Sequence, residues 1–229
     1  MTEAEFTSYY PQFAGFQPAF VLSSCIAQAN ARFSAFTAED AEEARRLYTA
    51  HKLTLYARTA LPDELFYIGG GAFQNCESLT SVTLPAAVDY IGSEAFDGCI
   101  SLANVFIPDT CSFIGAKSFC RCQSLQSMVM PSWTYSINPF TFSGCISLTE
   151  VRLPEDLEEI GESAFFCCYT LKEIVIPDPV EVIGDRAFSN CMALESVELP
   201  EDLETVGPNA FENCVKLTGL PDLSDLYEE

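Results

Sequence analysis

The sequence predicts an α+β repeat protein: a solenoid of seven 23-residue units stacked through a strand ladder, preceded by a small N-terminal helical unit. Three observations carry this prediction. A shift of 23 residues superimposes Ile68, Ile91, Ile114, Ile137, Ile160, Ile183 and Val206 without an insertion. The same shift superimposes Phe73, Phe96, Phe119, Phe142, Phe165, Phe188 and Phe211, and a leucine column from Leu79 to Leu217. Residues 1–61 lack this period and show helical spacing instead, which divides the chain into 1–61 and 62–229.

In the first segment, Pro18 can open a helix whose Leu22, Ile26, Ala29 and Phe33 share one face. A second helix is expected from Thr37, where TAED resembles a capping box with Asp40 in place of Glu. Ala41, Ala44, Tyr48, His51 and Leu55 mark its buried face, and Pro62 follows its end. The simplest role for the pair is to cover the open edge of the first repeat.

Each repeat then reads I-G-x-x-A-F-x-x-C-x-x-L-x-x-V-x-L-P. The G-x-x-A-F part is expected to start a short helical turn, with Gly, or Asn138 in the fourth unit, as N-cap. Pro139 and Pro208 fall one residue later, where a first-turn proline is tolerated. The L-x-x-V-x-L part alternates as a half-buried strand, with Val82 and Leu84 inward and Ser81 and Thr83 outward. Pro85 and its equivalents through Pro200 end the strands, because proline cannot donate to a ladder. One unit cannot bury its Ile, Phe, Leu and Val alone, so the units must stack and their ends must be capped, the C-terminal one by a short tail.

These motifs closely resemble the BspA-like leucine-rich repeat family over about residues 68–220. The resemblance implies a curved leucine-rich-repeat solenoid with a parallel strand ladder, protein binding or adhesion, and placement on bacterial cell surfaces. A second resemblance lies further upstream, in FTSYYPQFAGF followed by EEARRLYTAHKLTLYAR. These stretches are similar to the start of a helical family of phage head–tail connector proteins, which would imply a structural phage or prophage component.

The chain carries 33 acidic and 11 basic residues, for a net charge of −22, so nucleic acid and other polyanions are repelled. Residues 1–61 hold six acidic and five basic groups, which leaves nearly all the negative charge on the repeats. No apolar run approaches the roughly 18 residues of a membrane span, so no membrane insertion is expected. The first residues contain two glutamates and no Lys or Arg, unlike a secretory signal, and LSSC at 22–25 only superficially resembles a lipoprotein box. A cytoplasmic or virion-associated location follows as the expectation, with cell-surface display implied by the family resemblance alone.

Seven cysteines share one column: Cys76, Cys99, Cys122, Cys145, Cys168, Cys191 and Cys214. Equivalent side chains in a solenoid point the same way, whereas a disulfide needs Cβ atoms converging to about 3.8 Å. Zinc needs four convergent ligands. The column is therefore read as buried free thiols with a structural role, and no metal or cofactor is expected. Eleven unpaired cysteines favour a reducing compartment. Cys25 and Cys111, the latter in the Val88 column, are assigned to the core; Cys120 and Cys167 fall in polar columns as the more exposed thiols, with Arg121 a hint of activation at Cys120.

His51 is the only histidine, and no nucleophile motif, P-loop or metal-ligand pair accompanies it, so no catalytic residue is assigned. The residues that break the columns point to a protein partner instead. The outward strand column runs Thr83, Phe106, Val129, Arg152, Val175, Glu198, placing an apolar step beside Arg152. The flank before each Ile runs Tyr67, Tyr90, Phe113, Ser136, Glu159, aromatic only in its first half. Trp133, the sole tryptophan, and Tyr135 complete the candidate binding surface, since exposed aromatics are enriched at interaction hot spots.

Overall fold

The structure, a computed structural model, describes Thr2, Leu61, Asp63 and residues 65–226. The two helices expected within 1–61, Cys25, His51 and the connector-like stretches lie outside the described residues.

Two families of short strands alternate along the chain. The two-residue strands are β1 (Tyr67–Ile68), β3 (Tyr90–Ile91), β5 (Phe113–Ile114), β7 (Ser136–Ile137), β9 (Glu159–Ile160), β11 (Val182–Ile183) and β13 (Thr205–Val206). The three-residue strands are β2 (Ser81–Thr83), β4 (Asn104–Phe106), β6 (Ser127–Val129), β8 (Glu150–Arg152), β10 (Glu173–Val175) and β12 (Ser196–Glu198). Every pairing is parallel, and partners such as Tyr67 and Tyr90 or Val82 and Val105 stand one 23-residue period apart. The alternation acts as expected: Val82 is buried and Ser81 and Thr83 are exposed.

The G-x-x-A-F segment does not start a helix. It is a run of turns, and the only helical element among the described residues is a single 3₁₀ turn, Ser224–Leu226. The physical reason is a left-handed residue at two places in the unit, for example Glu94 (φ 60°) and Gly98 (φ 74°). That inversion breaks an α-helix and points alternate N–H groups at the next repeat. Thus Phe73 N–H donates to Ala95 O at 2.7 Å and Asn75 N–H to Asp97 O at 2.7 Å, while Ala72 and Gln74 bond within their own repeat. Asn138 is no N-cap either: its side-chain amide donates to Ile114 O at 2.7 Å. The fold is accordingly a parallel β-solenoid of six complete turns; the seventh unit ends without a three-residue strand after Leu217.

The core is one column per conserved position. Phe73, Phe96, Phe119, Phe142, Phe165 and Phe188 are fully buried, and successive rings stack with centroids 4.9 to 5.8 Å apart. At every rung but that of Asn138, a glycine follows the buried Ile or Val, and close approach favours it: a Cβ at Gly92 would stand 2.5 Å from Gly70 N, and one at Gly207 still closer to Asp185. Leu61 and Leu65 close the core at one end; Leu223, with the half-buried Leu220 and Leu226, packs at the other.

Candidate functional site

The three-residue strands present their first and third side chains outward. This puts Phe106 and Val129, each 64% exposed, on β4 and β6, with Arg152 of β8 the direct register partner of Val129. Val175, 61% exposed on β10, continues the row opposite Glu198. Phe106 and Val129 thus form an exposed apolar step on successive rungs, and exposed Val175 follows only beyond Arg152. Beside it lies a trough of about 700 Å³ whose lining includes Glu150, Arg152, Glu155, Glu173, Val175 and Asp178. Sequence reasoning missed this trough. Its signal was the change of the other outward column from Ser81, Asn104 and Ser127 to Glu150 and Glu173.

The aromatic flank forms on the neighbouring face. Tyr67 stacks on Tyr90 with centroids 4.6 Å apart, and Tyr90 on Phe113 at 4.7 Å. Burial first, then the adjacent Tyr67, raises the Tyr90 phenol above its ordinary pKa. Trp133, 59% exposed, sits in the turn between β6 and β7, and Tyr135 is exposed just before β7. The candidate residues thus fall on two adjoining faces, the strand row and the flank, with Trp133 at the turn joining them. A third exposed apolar column, Ile100, Tyr169, Met192 and Val215, follows the cysteines and was not anticipated. Tyr169, Met192 and Val215 occupy three successive rungs, while Ile100 is set apart from them by Gln123 and the half-buried Ile146.

The cysteine column has a specific structural task. Cys99 Sγ donates to Phe73 O at 3.0 Å, and Cys122, Cys145, Cys168, Cys191 and Cys214 repeat this bond to the phenylalanine 26 residues before each. These six are free thiols, as expected. Desolvation is the main cause pushing the Cys122, Cys145 and Cys168 thiols well above their ordinary range. Cys111 is core, and Cys120 and Cys167 are half-buried. The hint of an activated Cys120 is overturned: burial and Asp97 push its thiol up to about 11. Arg121 is committed elsewhere, its Nε and Nη2 binding the two Asp97 carboxylate oxygens at 2.9 and 2.6 Å. Among the described residues no group of three or more metal-ligating side chains converges, and no helix is long and apolar enough to cross a membrane.

A family model, the BspA type leucine-rich repeat region, matches in six copies over residues 50–134 and 112–226. The chain belongs to the BspA-type leucine-rich repeat family. Among BspA-type and other leucine-rich repeat structures, it is 36% identical to the leucine-rich repeat protein of T. pallidum, covering 72% of this chain and 75% of that one with a TM-score of 0.65. It is 38% identical to a leucine-rich cell surface protein of Faecalibacterium prausnitzii over 59% of this chain, with a TM-score of 0.57. A leucine-rich repeat protein of Eubacterium ventriosum, 23% identical with a TM-score of 0.65, shares the fold over 72% of this chain. This chain spans 37% of the Faecalibacterium protein's length and 46% of the Eubacterium protein's. No curated protein matches it.

Proposed function

We propose that this BspA-type repeat chain is a non-enzymatic scaffold that holds a protein partner across its outward strand row and aromatic flank. The supporting observation is the row itself: Phe106, Val129 and Val175 are each more than 60% exposed, in a column that also holds Thr83, Arg152 and Glu198. Exposed large apolar side chains on hydrogen-bonded strands lose little entropy on docking, which favours them as anchors. The acidic trough beside them and the net charge of −22 select a partner with a basic surface. Placement at a cell surface is part of this reading, carried by the Faecalibacterium relative. Buried thiols do not oppose it, because desolvation protects them from oxidation in either compartment.

The test is panning of a displayed protein library against the chain and against a Phe106→Ser, Val129→Ser double variant. Binders with basic and apolar residues that are lost with the double variant are expected; binders indifferent to it would overturn the assignment. Both positions are exposed, so circular dichroism of the variant should match that of the parent. The segment 1–61 is proposed to cap the first repeat, as the burial of Leu61 in the core supports. Deleting residues 1–60 should lower the unfolding midpoint and promote self-association; an unchanged, monomeric product would remove the cap role.

A further inference from the structure

The boundary between the third and fourth repeats is open on one face only. β1, β3 and β5 form one hydrogen-bonded sheet and β7, β9, β11 and β13 another, with no pairing between β5 and β7. The phenylalanine stack is widest at the same boundary, 5.8 Å between Phe119 and Phe142. The cause lies in Asn138, which replaces the glycine that lets neighbouring backbones touch. Gly115 N–H donates to Ile91 O and Gly161 N–H to Ile137 O, whereas at this rung the Asn138 side chain reaches Ile114 O instead. On the turn side the two repeats stay joined, Phe119 N–H donating to Thr141 O.

A cleft of about 240 Å³ occupies the opening, lined by Phe113, Thr134, Tyr135, Ser136 and Asn138 among others. It continues an unfinished stack. Tyr67, Tyr90 and Phe113 follow one another at 4.6 and 4.7 Å, and the next rung carries Ser136, which has no ring. Thr134 stands where other repeats place Val88, Cys111 and Leu157; it is 2% exposed, and its Oγ1 has no hydrogen-bond partner among the described residues. Beyond the vacant rung stands exposed Glu159, the register partner of Ser136, with Glu158 next to it. A cavity of about 150 Å³ takes a benzene ring, so this cleft has room for a phenol or an indole.

We infer that the cleft is a slot for one aromatic side chain, tyrosine or tryptophan, presented by a basic segment of a protein partner. The ring would stack on Phe113 at the vacant rung, its polar group would meet the Thr134 hydroxyl, and flanking lysine or arginine would face Glu158 and Glu159. This rests on the proposed interaction surface and names the chemistry of its partner. The probe is acetyl-Lys-Tyr-Lys-amide, titrated into the whole chain while the amide resonances of residues 112–138 are followed by NMR. Saturable shifts confined to that region are expected, with none from acetyl-Lys-Ala-Lys-amide and weaker binding of uncharged N-acetyltyrosinamide. Ser136→Phe, which completes the stack, should abolish binding; Ser136→Ala should retain it, and Thr134→Val should weaken it about tenfold.

Equal shifts from the alanine peptide, equal affinity for N-acetyltyrosinamide, or undiminished binding by Ser136→Phe would each overturn the slot. The two proposals fail separately. If library binders are lost with the Phe106 and Val129 double variant and kept by Ser136→Phe, the slot falls and the surface stands. If neither variant affects them, the surface falls as well.

Discussion

At the residue scale, the solenoid gives the carbonyls of Phe73 through Phe188 two donors each. Phe119 O accepts Cys122 N–H at 3.2 Å and Cys145 Sγ–H at 3.2 Å, so cysteine fills a small apolar site and also supplies a weak donor. Cys145→Ala should therefore destabilise the chain by about 1–2 kcal/mol through lost contacts and one lost bond, read from urea unfolding. The same thiols set a pH limit. Unfolded thiols ionise near 9.0, while burial raises the folded values to about 11 for Cys111 and Cys214 and holds the Cys145 thiol well above its ordinary range. The unfolded state then binds fewer protons, so stability is fully present below pH 9 and falls as pH rises through the folded values. That fall should be shallower in Cys145→Ala than in the parent; identical slopes would remove buried thiols as its cause. Asp97 offers a third case, since it is buried against the exposed Arg121 guanidinium and also accepts from Gln74 Nε2 at 3.1 Å. Arg121→Ala should cost about 1–3 kcal/mol by leaving that carboxylate short of a partner, again measured by denaturant unfolding.

At the element scale, the two-residue strands hold together only where a glycine lets backbones meet. Asn138 departs from this rule and substitutes its side-chain amide for the missing backbone donor. Asn138→Gly should accordingly be tolerated better than Asn138→Ala, by about 1 kcal/mol or more in unfolding free energy. Alanine keeps the obstructing Cβ and loses the donor to Ile114 O, whereas glycine restores the arrangement of the other repeats. Ordinary strand preferences predict the reverse order, so finding alanine the more stable would contradict the role assigned to Asn138. Among these elements the inward and outward pattern was legible beforehand, because alternation at Val82 and Leu84 needs no knowledge of the neighbours. The turn segment was less legible. The first of its two left-handed positions is held by Glu94, Lys117, Ser163 and Arg186, residue types that do not announce a positive φ, whereas the second carries Asn75, Gly98, Gly144 and Asn190, a signal that was open to reading.

At the scale of the whole molecule, stability is carried by contacts between adjacent turns, and the negative charge works against it. Phe96 through Phe188 each stack between rings on both sides, while Phe211, Cys214 and Leu217 in the last unit are only partly buried. With 33 acidic and 11 basic residues, and nearly all the excess on the repeats, stacking brings like charges close. Raising NaCl from about 10 to 300 mM should increase the melting temperature as this repulsion is screened. A flat or falling melting temperature would show that local pairs such as Arg121 with Asp97 outweigh the net repulsion. The same charge favours a basic partner over the strand row, and binding there should weaken over the same salt range.

The sequence by itself determined the 23-residue period, the stacked solenoid, the inward columns and the free thiols, because one shift aligns residues whose burial requires a neighbour of the same kind. It also identified Phe106, Val129 and Trp133 as exposed, since each falls in an outward column that carries polar or small residues at other rungs. Only the tertiary structure decided that the conserved turns are not helical, that Arg121 serves Asp97 rather than Cys120, and that β5 and β7 part at Asn138. Those outcomes depend on backbone handedness and on the distance between adjacent turns, which a list of residues at fixed spacing does not contain.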